Sequence, residues 1–307
     1  MTQTARVRLG LTPLERGQAA LILLLLVLSV IGWVVTGDRM SGMDAGPGTD
    51  PGSLGFYVTA WVVMMAAMMF PSIAPMVLVY RRIHNHRRAR GKARPGATVL
   101  FVSGYLVAWT VFGLAAYALL ETIRSPSIDV LSWNHGGPYF AGAVVVVAAV
   151  YQLTPAKDVC LRHCRTPLDF VLGHWRDGYW GALRTGVDHG AWCVGCCWGL
   201  MAALFALGVM SVGWMVFVAA LIAIEKLLPW KKIANRGIAA LLLVLGLAVA
   251  FFPGQVPALT LPDSPEARQA MMRMEGGSMK DKGGSMKEGD SMNGKAKGKG
   301  AAGMEGR

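Results

Sequence analysis

Hydrophobic positions in this chain come in long unbroken blocks, without the alternating stripes of a soluble core. Leu21 to Val35 is almost uninterrupted, and similar blocks recur down the chain. Each is on the order of the 20 residues that a helix needs to cross a hydrocarbon core. The pattern predicts seven transmembrane helices, at about 17–36, 56–79, 97–120, 138–154, 185–207, 211–228 and 234–252. The fourth is short for a span, so it is expected to tilt little or to extend at its ends. The fifth and sixth form one apolar stretch, divided near Gly208, Ser211 and Gly213 because a single helix of that length would overshoot the bilayer. The first block outruns a signal-peptide core and is followed by Gly37-Asp38-Arg39, with no small-x-small cleavage pattern, so it reads as a retained helix. The fold class is all-α, a polytopic membrane helical bundle.

The polar segments between the blocks set the orientation. Arg6, Arg8 and Arg16 precede the first block; the next loop has only Arg39; the 80–96 loop carries Arg81, Arg82, Arg87, Arg88, Arg90, Lys92 and Arg94. High and low basic content then alternates through the 121–137, 155–184 and 229–233 loops. The positive-inside rule places the N-terminus in the cytoplasm and the C-terminus outside, in a cell's inner (plasma) membrane. The domains are a cytoplasmic segment 1–16, a transmembrane domain 17–252 and an extracytoplasmic tail 253–307. Composition agrees: 54% of the 307 residues are hydrophobic and 16% charged, against about 25% charged in soluble domains. The net charge of +12 invites a nucleic-acid reading, but topology accounts for the basic clusters and none is assigned.

After Pro253 the apolar pattern stops, and from about Ser264 the chain is rich in Gly, Ser, Lys, Glu and Met. Such a segment cannot bury enough apolar surface to offset chain entropy, which predicts a disordered tail. Within it Met279, Met286 and Met292 recur in a short Ser-Met unit. Thioethers are soft donors that select Cu(I) over hard cations, so these residues are candidates for collecting metal, with Met40 and Met43 as outer relays.

Two helical constellations carry the main chemistry. Met64, Met65, Met68 and Met69 precede Pro71 in the second span and share an arc of roughly 140°. His189, Cys193, Cys196 and Cys197 open the fifth span and share a face about 100° wide. A Met stripe alone reads as packing; three thiols with an imidazole read as a site for soft or borderline metals. Both clusters are expected near mid-bilayer depth, where they can meet as a Cu(I) site, with Asp188 orienting the imidazole. Cys160, His163 and Cys164 form a third, separate cluster in an inside loop, sharing one side if helical. His84, His86 and His174 read as solvated. No cysteine falls in a loop assigned outside, which argues against structural disulfides.

The Met64–Met76 run, the Tyr151–Pro155 segment with Cys160-x-x-His163-Cys164, and above all His189-x-x-x-Cys193-x-Gly195-Cys196-Cys197-Trp198 resemble a family of predicted metal-binding integral membrane proteins. Some of its members are membrane copper chaperones for copper enzymes such as a tyrosinase. The resemblance covers roughly residues 15–252 and implies a non-enzymatic chaperone that metallates a copper-dependent enzyme or loads another copper carrier. Two other readings stay open. Cys193 and Cys196 form a Cys-x-x-Cys pair suited to thiol–disulfide or quinone redox chemistry, and the same donors suit a copper transporter.

Overall fold

A computed structural model describes residues 13–44, 46, 52–89, 95–123, 136–228, 230–261 and 264–272. Met279, Met286 and Met292, and the first twelve residues, lie outside the described set. The described secondary structure is helical throughout: α1 (Pro13–Met40), α2 (Leu54–Ala89), α3 (Ala97–Ile123), α4 (Gly137–Gln152), α5 (Pro155–Arg165), α6 (Pro167–Gly173), α7 (Gly178–Gly208), α8 (Val212–Leu227) and α9 (Lys231–Phe251). A 3-10 turn at Pro253–Gln255 and a short helix, α10, at 265–272 follow. Order thus extends beyond Ser264, where composition predicts disorder. An alanine face, Ala267 and Ala270, is buried there.

Five helices are long and apolar enough to cross a membrane, and α4 with α5 makes a sixth if the bent pair is one span. Seven were expected. The difference is α8, whose 16 residues rise roughly 24 Å, short of a hydrocarbon core of about 30 Å. The predicted fourth span bends by 67° instead of extending. Pro155 has no N–H for the carbonyl of Tyr151, which accepts from Thr154 Oγ1 at 2.8 Å. Thr154 then caps the new helix, its side chain accepting from the N–H of Lys157. The break between α7 and α8 falls where predicted, with Gly208 at φ +122°, a conformation suited to glycine.

Side-chain ties sort the helix ends. Arg81 donates to the Gly17 carbonyl and Arg82 to Gln18, and Arg87 pairs with Asp177; these join the start of α1, the end of α2 and the start of α7. At the opposite end Tyr117 donates to the Gly52 carbonyl, and Thr260 donates to Asp44. The chain therefore enters α1 at one end of the bundle and leaves α9 at the other.

Glycine sets the tightest helix contacts. A methyl on Gly104, Gly186 or Gly190 would run into the facing helix of the α3–α7 pair, and Gly142 and Gly246 play the same part between α4 and α9. The α1–α2 contact is built around a proline. Pro71 lies inside α2, so the Ala67 carbonyl has lost its intrahelical N–H, and dry lipid offers no replacement. Ser29 Oγ of α1 donates to that carbonyl at 2.6 Å. Ser29→Ala is expected to cost about 1 kcal/mol in a denaturant titration, and almost nothing in a Pro71→Ala background, where the helix N–H returns. An equal loss in both backgrounds would show that Ser29 acts through packing alone.

Candidate metal centre

His189, Cys193, Cys196 and Cys197 stand at successive turns of α7 and are all buried. The sulfurs of Cys196 and Cys197 are 3.3 Å apart, and the Cys196 thiol also donates to the Cys193 carbonyl at 3.2 Å. The bend before α5 brings in a further thiol: Cys164 Sγ lies 3.6 Å from Cys196 Sγ. Cys164, Cys193 and Cys196 thus place three sulfurs within 4.8 Å of one another. At about 2.3 Å per metal–thiolate bond, as for zinc, three sulfurs around one ion sit about 4 Å apart and two opposed ones about 4.6 Å. The triad fits one metal ion.

Cys193 has two polar neighbours from other helices. The Tyr105 hydroxyl of α3 is 3.1 Å from its sulfur, and the Lys226 ammonium of α8 donates to it at 3.0 Å. Lys226 also reaches Ser72 Oγ at 3.5 Å, and Ser72 Oγ is 4.0 Å from Met69 Sδ. Beside it, Glu225 forms a buried ion pair with Lys157 of α5 at 2.7 Å. Arg165, at the far end of α5, donates to the carbonyls of Glu225 and Leu228. The helix that carries Cys164 is therefore held to the end of α8 at both of its own ends.

The methionine cluster lies on α2, linked to the thiols through Ser72 and Lys226. Met64, Met65, Met68 and Met69 are buried. The antiparallel helices α2 and α7 are tied at two levels: Trp61 stacks on Phe205 with centroids 5.6 Å apart, and Ser72 meets Cys193 through Lys226. The tie points are eleven residues apart on α2 and twelve on α7. At 1.5 Å per residue, this register sets Met68 and Met69 level with Cys196 and Cys197, and Met64 and Met65 one turn farther on, level with Met201.

Other candidates fall differently. His189 stands one turn from Cys193, among the rings of Phe101, Tyr105 and Phe170, and its buried Nδ1 has no hydrogen-bond partner. Asp188 does not orient it: neighbours on a helix diverge by about 100°, and Asp188 pairs with Arg176 at 3.7 Å. His163 stacks flat on Trp192, with centroids 4.0 Å apart, and bonds the Val159 carbonyl through Nδ1. Cys160 lies against Gly195. The expected separate cluster is thus divided, Cys164 joining the α7 thiols without the other two. His84 is buried instead of solvated, because α2 runs on to Ala89 and packs against α6. Cys193 is the central residue of α7 (Gly178–Gly208), and Lys226 reaches it from the last turn of α8.

A sequence model of the PpoB2 copper chaperone family matches residues 58–249. The chain belongs to this copper chaperone family. No curated protein and no solved structure shows a match to it. The matched span holds every member of the buried cluster: the four methionines, Tyr105, Cys164, the α7 thiols and Lys226. It ends before the Met-rich tail. A copper chaperone must bind its metal and give it up, and thiols on separate helices allow one ligand to leave while the others hold. Tyr105 and Lys226 are the residues that sequence reasoning missed. Tyr105 gave no signal. Glu225-Lys226 did, as an ionisable pair inside an apolar block, which marks function by default.

Proposed function

We propose that this chaperone binds Cu(I) at Cys193, Cys196 and Cys164, with Cys197, His189 and the Met64, Met65, Met68 and Met69 thioethers as entry and exit donors, and passes it to a copper-dependent enzyme. The convergence of three thiols from two separate helices, two of them buried and that of Cys164 half-buried, carries this reading; family membership supplies the metal, and soft donors favour its reduced ion. The role is delivery and not catalysis. Seven crossings are counted by including α8. Lys226 and Cys193 lie about fifteen residues on either side of the 208–211 turn and meet, which supports α8 retracing α7 across the bilayer. The basic loops favour a cytoplasmic N-terminus in the plasma membrane, and the opposite placement of Gly17 and Thr260 favours an extracytoplasmic tail, where Met279, Met286 and Met292 would gather copper.

Purified, reduced full-length protein titrated with Cu(I) against bicinchoninate should retain one ion with a sulfur-dominated coordination shell. Protein that yields all its copper to the competitor overturns the reading. The methionines separate by one swap: Met68→Leu and Met69→Leu should cost less than about 1.5 kcal/mol in stability, since the change conserves volume, yet slow copper exchange. Unchanged exchange in both returns these residues to packing.

A further inference from the structure

Among the described residues the buried lysine, arginine, aspartate and glutamate side chains are Lys157, Glu225 and Lys226. Lys157 and Glu225 neutralise each other at 2.7 Å, leaving the interior with one surplus positive charge, on Lys226. A buried ion without a counter-charge is costly, and the Lys226 ammonium is directed at Cys193 Sγ, 3.0 Å away. The anion that this surroundings call for is a thiolate.

We infer that Lys226 sets the metal preference of the thiol cluster, acting as a resident counter-cation to the metal–thiolate unit. This rests on the metal-site reading above. On a given set of thiolates the unit is one charge more negative with Cu(I) than with Zn(II): on the three of Cys164, Cys193 and Cys196 it carries −2 with Cu(I) and −1 with Zn(II). The ammonium at Cys193 therefore attracts the copper-loaded unit more strongly. Zinc also asks for four donors in a tetrahedron. Lys226 therefore discriminates by charge where softness alone is a weak filter, since thiolates serve both metals. Ser72 Oγ, 3.5 Å from the ammonium, gives it a resting partner as a metal takes up the sulfur.

The test compares two affinities in reduced, full-length protein: Cu(I) against bicinchoninate and Zn(II) against a chromophoric chelator. Lys226→Met should lower Cu(I) affinity at least about tenfold, because a close buried charge is lost, while Zn(II) affinity falls by a clearly smaller factor. Lys226→Arg should restore the Cu(I) preference. If Lys226→Met does not fold, judged by helicity and elution profile, Lys226→Gln supplies the same readout. Affinities for both metals falling by one common factor, or neither moving, overturns this role while leaving the thiol site standing. Wild-type protein that holds no Cu(I) overturns the site, and this inference with it.

Discussion

Cys193→Ser is expected to strip copper from a protein that still folds. The swap replaces a soft thiolate with a hard hydroxyl of similar size, so packing survives and metal affinity does not. Changing a group that only supports a metal ligand costs roughly 10–100-fold in affinity, and losing a ligand should exceed that. Cys196→Ser should behave alike. Cys164→Ser is the sharper experiment, because sequence spacing groups Cys164 with Cys160 and His163, whereas its sulfur sits 3.6 Å from Cys196. Loss of affinity with Cys164→Ser, and retention with Cys160→Ser and His163→Ala, is the expected pattern. The Cys164/Cys193 double variant should lose less than the sum of its singles, since residues sharing one ion are not additive. The opposite pattern, with Cys160 required and Cys164 dispensable, would move the metal out to α5. Affinity under reducing conditions, with helicity as the folding control, decides it.

What could be read from the chain was local. Long apolar runs gave the helices, and glycine and serine gave the 208–211 break, because both are properties of neighbouring residues. The shared face of His189, Cys193, Cys196 and Cys197 follows from the helical period, and all four are buried. The site itself depends on distances along the chain that periodicity does not reach. Cys164 and Cys196 are 32 residues apart and Cys193 and Lys226 33; each pair meets only because Pro155 turns the chain and α8 doubles back along α7. Lys226 stands out in the sequence as part of an ionisable pair in an apolar block, but no local pattern places it beside Cys193. The fifth helix begins at Gly178 and not near 185, a boundary that the apolar run alone does not mark.

Glu225→Leu should be among the most damaging single substitutions in the protein. It removes the only carboxylate buried among the described residues and leaves Lys157 and Lys226 as two buried positive charges. Breaking a buried pair from one side costs about 3–5 kcal/mol, whereas replacing both partners by apolar residues of similar volume is often neutral or better. The Lys157→Met/Glu225→Leu double variant should therefore recover most of the stability lost by the single. The two variants should part company again at the metal. The pair holds α5 to α8, and α5 carries Cys164, so in the single variant α5 should loosen and copper affinity should fall about as far as in Cys164→Ser. In the double variant an apolar contact replaces the ion pair and Arg165 still donates to the α8 carbonyls, so Cys164 should stay in place and copper affinity should return with stability. Stability that returns without copper affinity would mean that the ion pair positions Cys164 by its geometry. A single variant as stable as wild type would mean that Lys157 finds water or lipid headgroups on its own, and that α5 is not fastened to the bundle by charge.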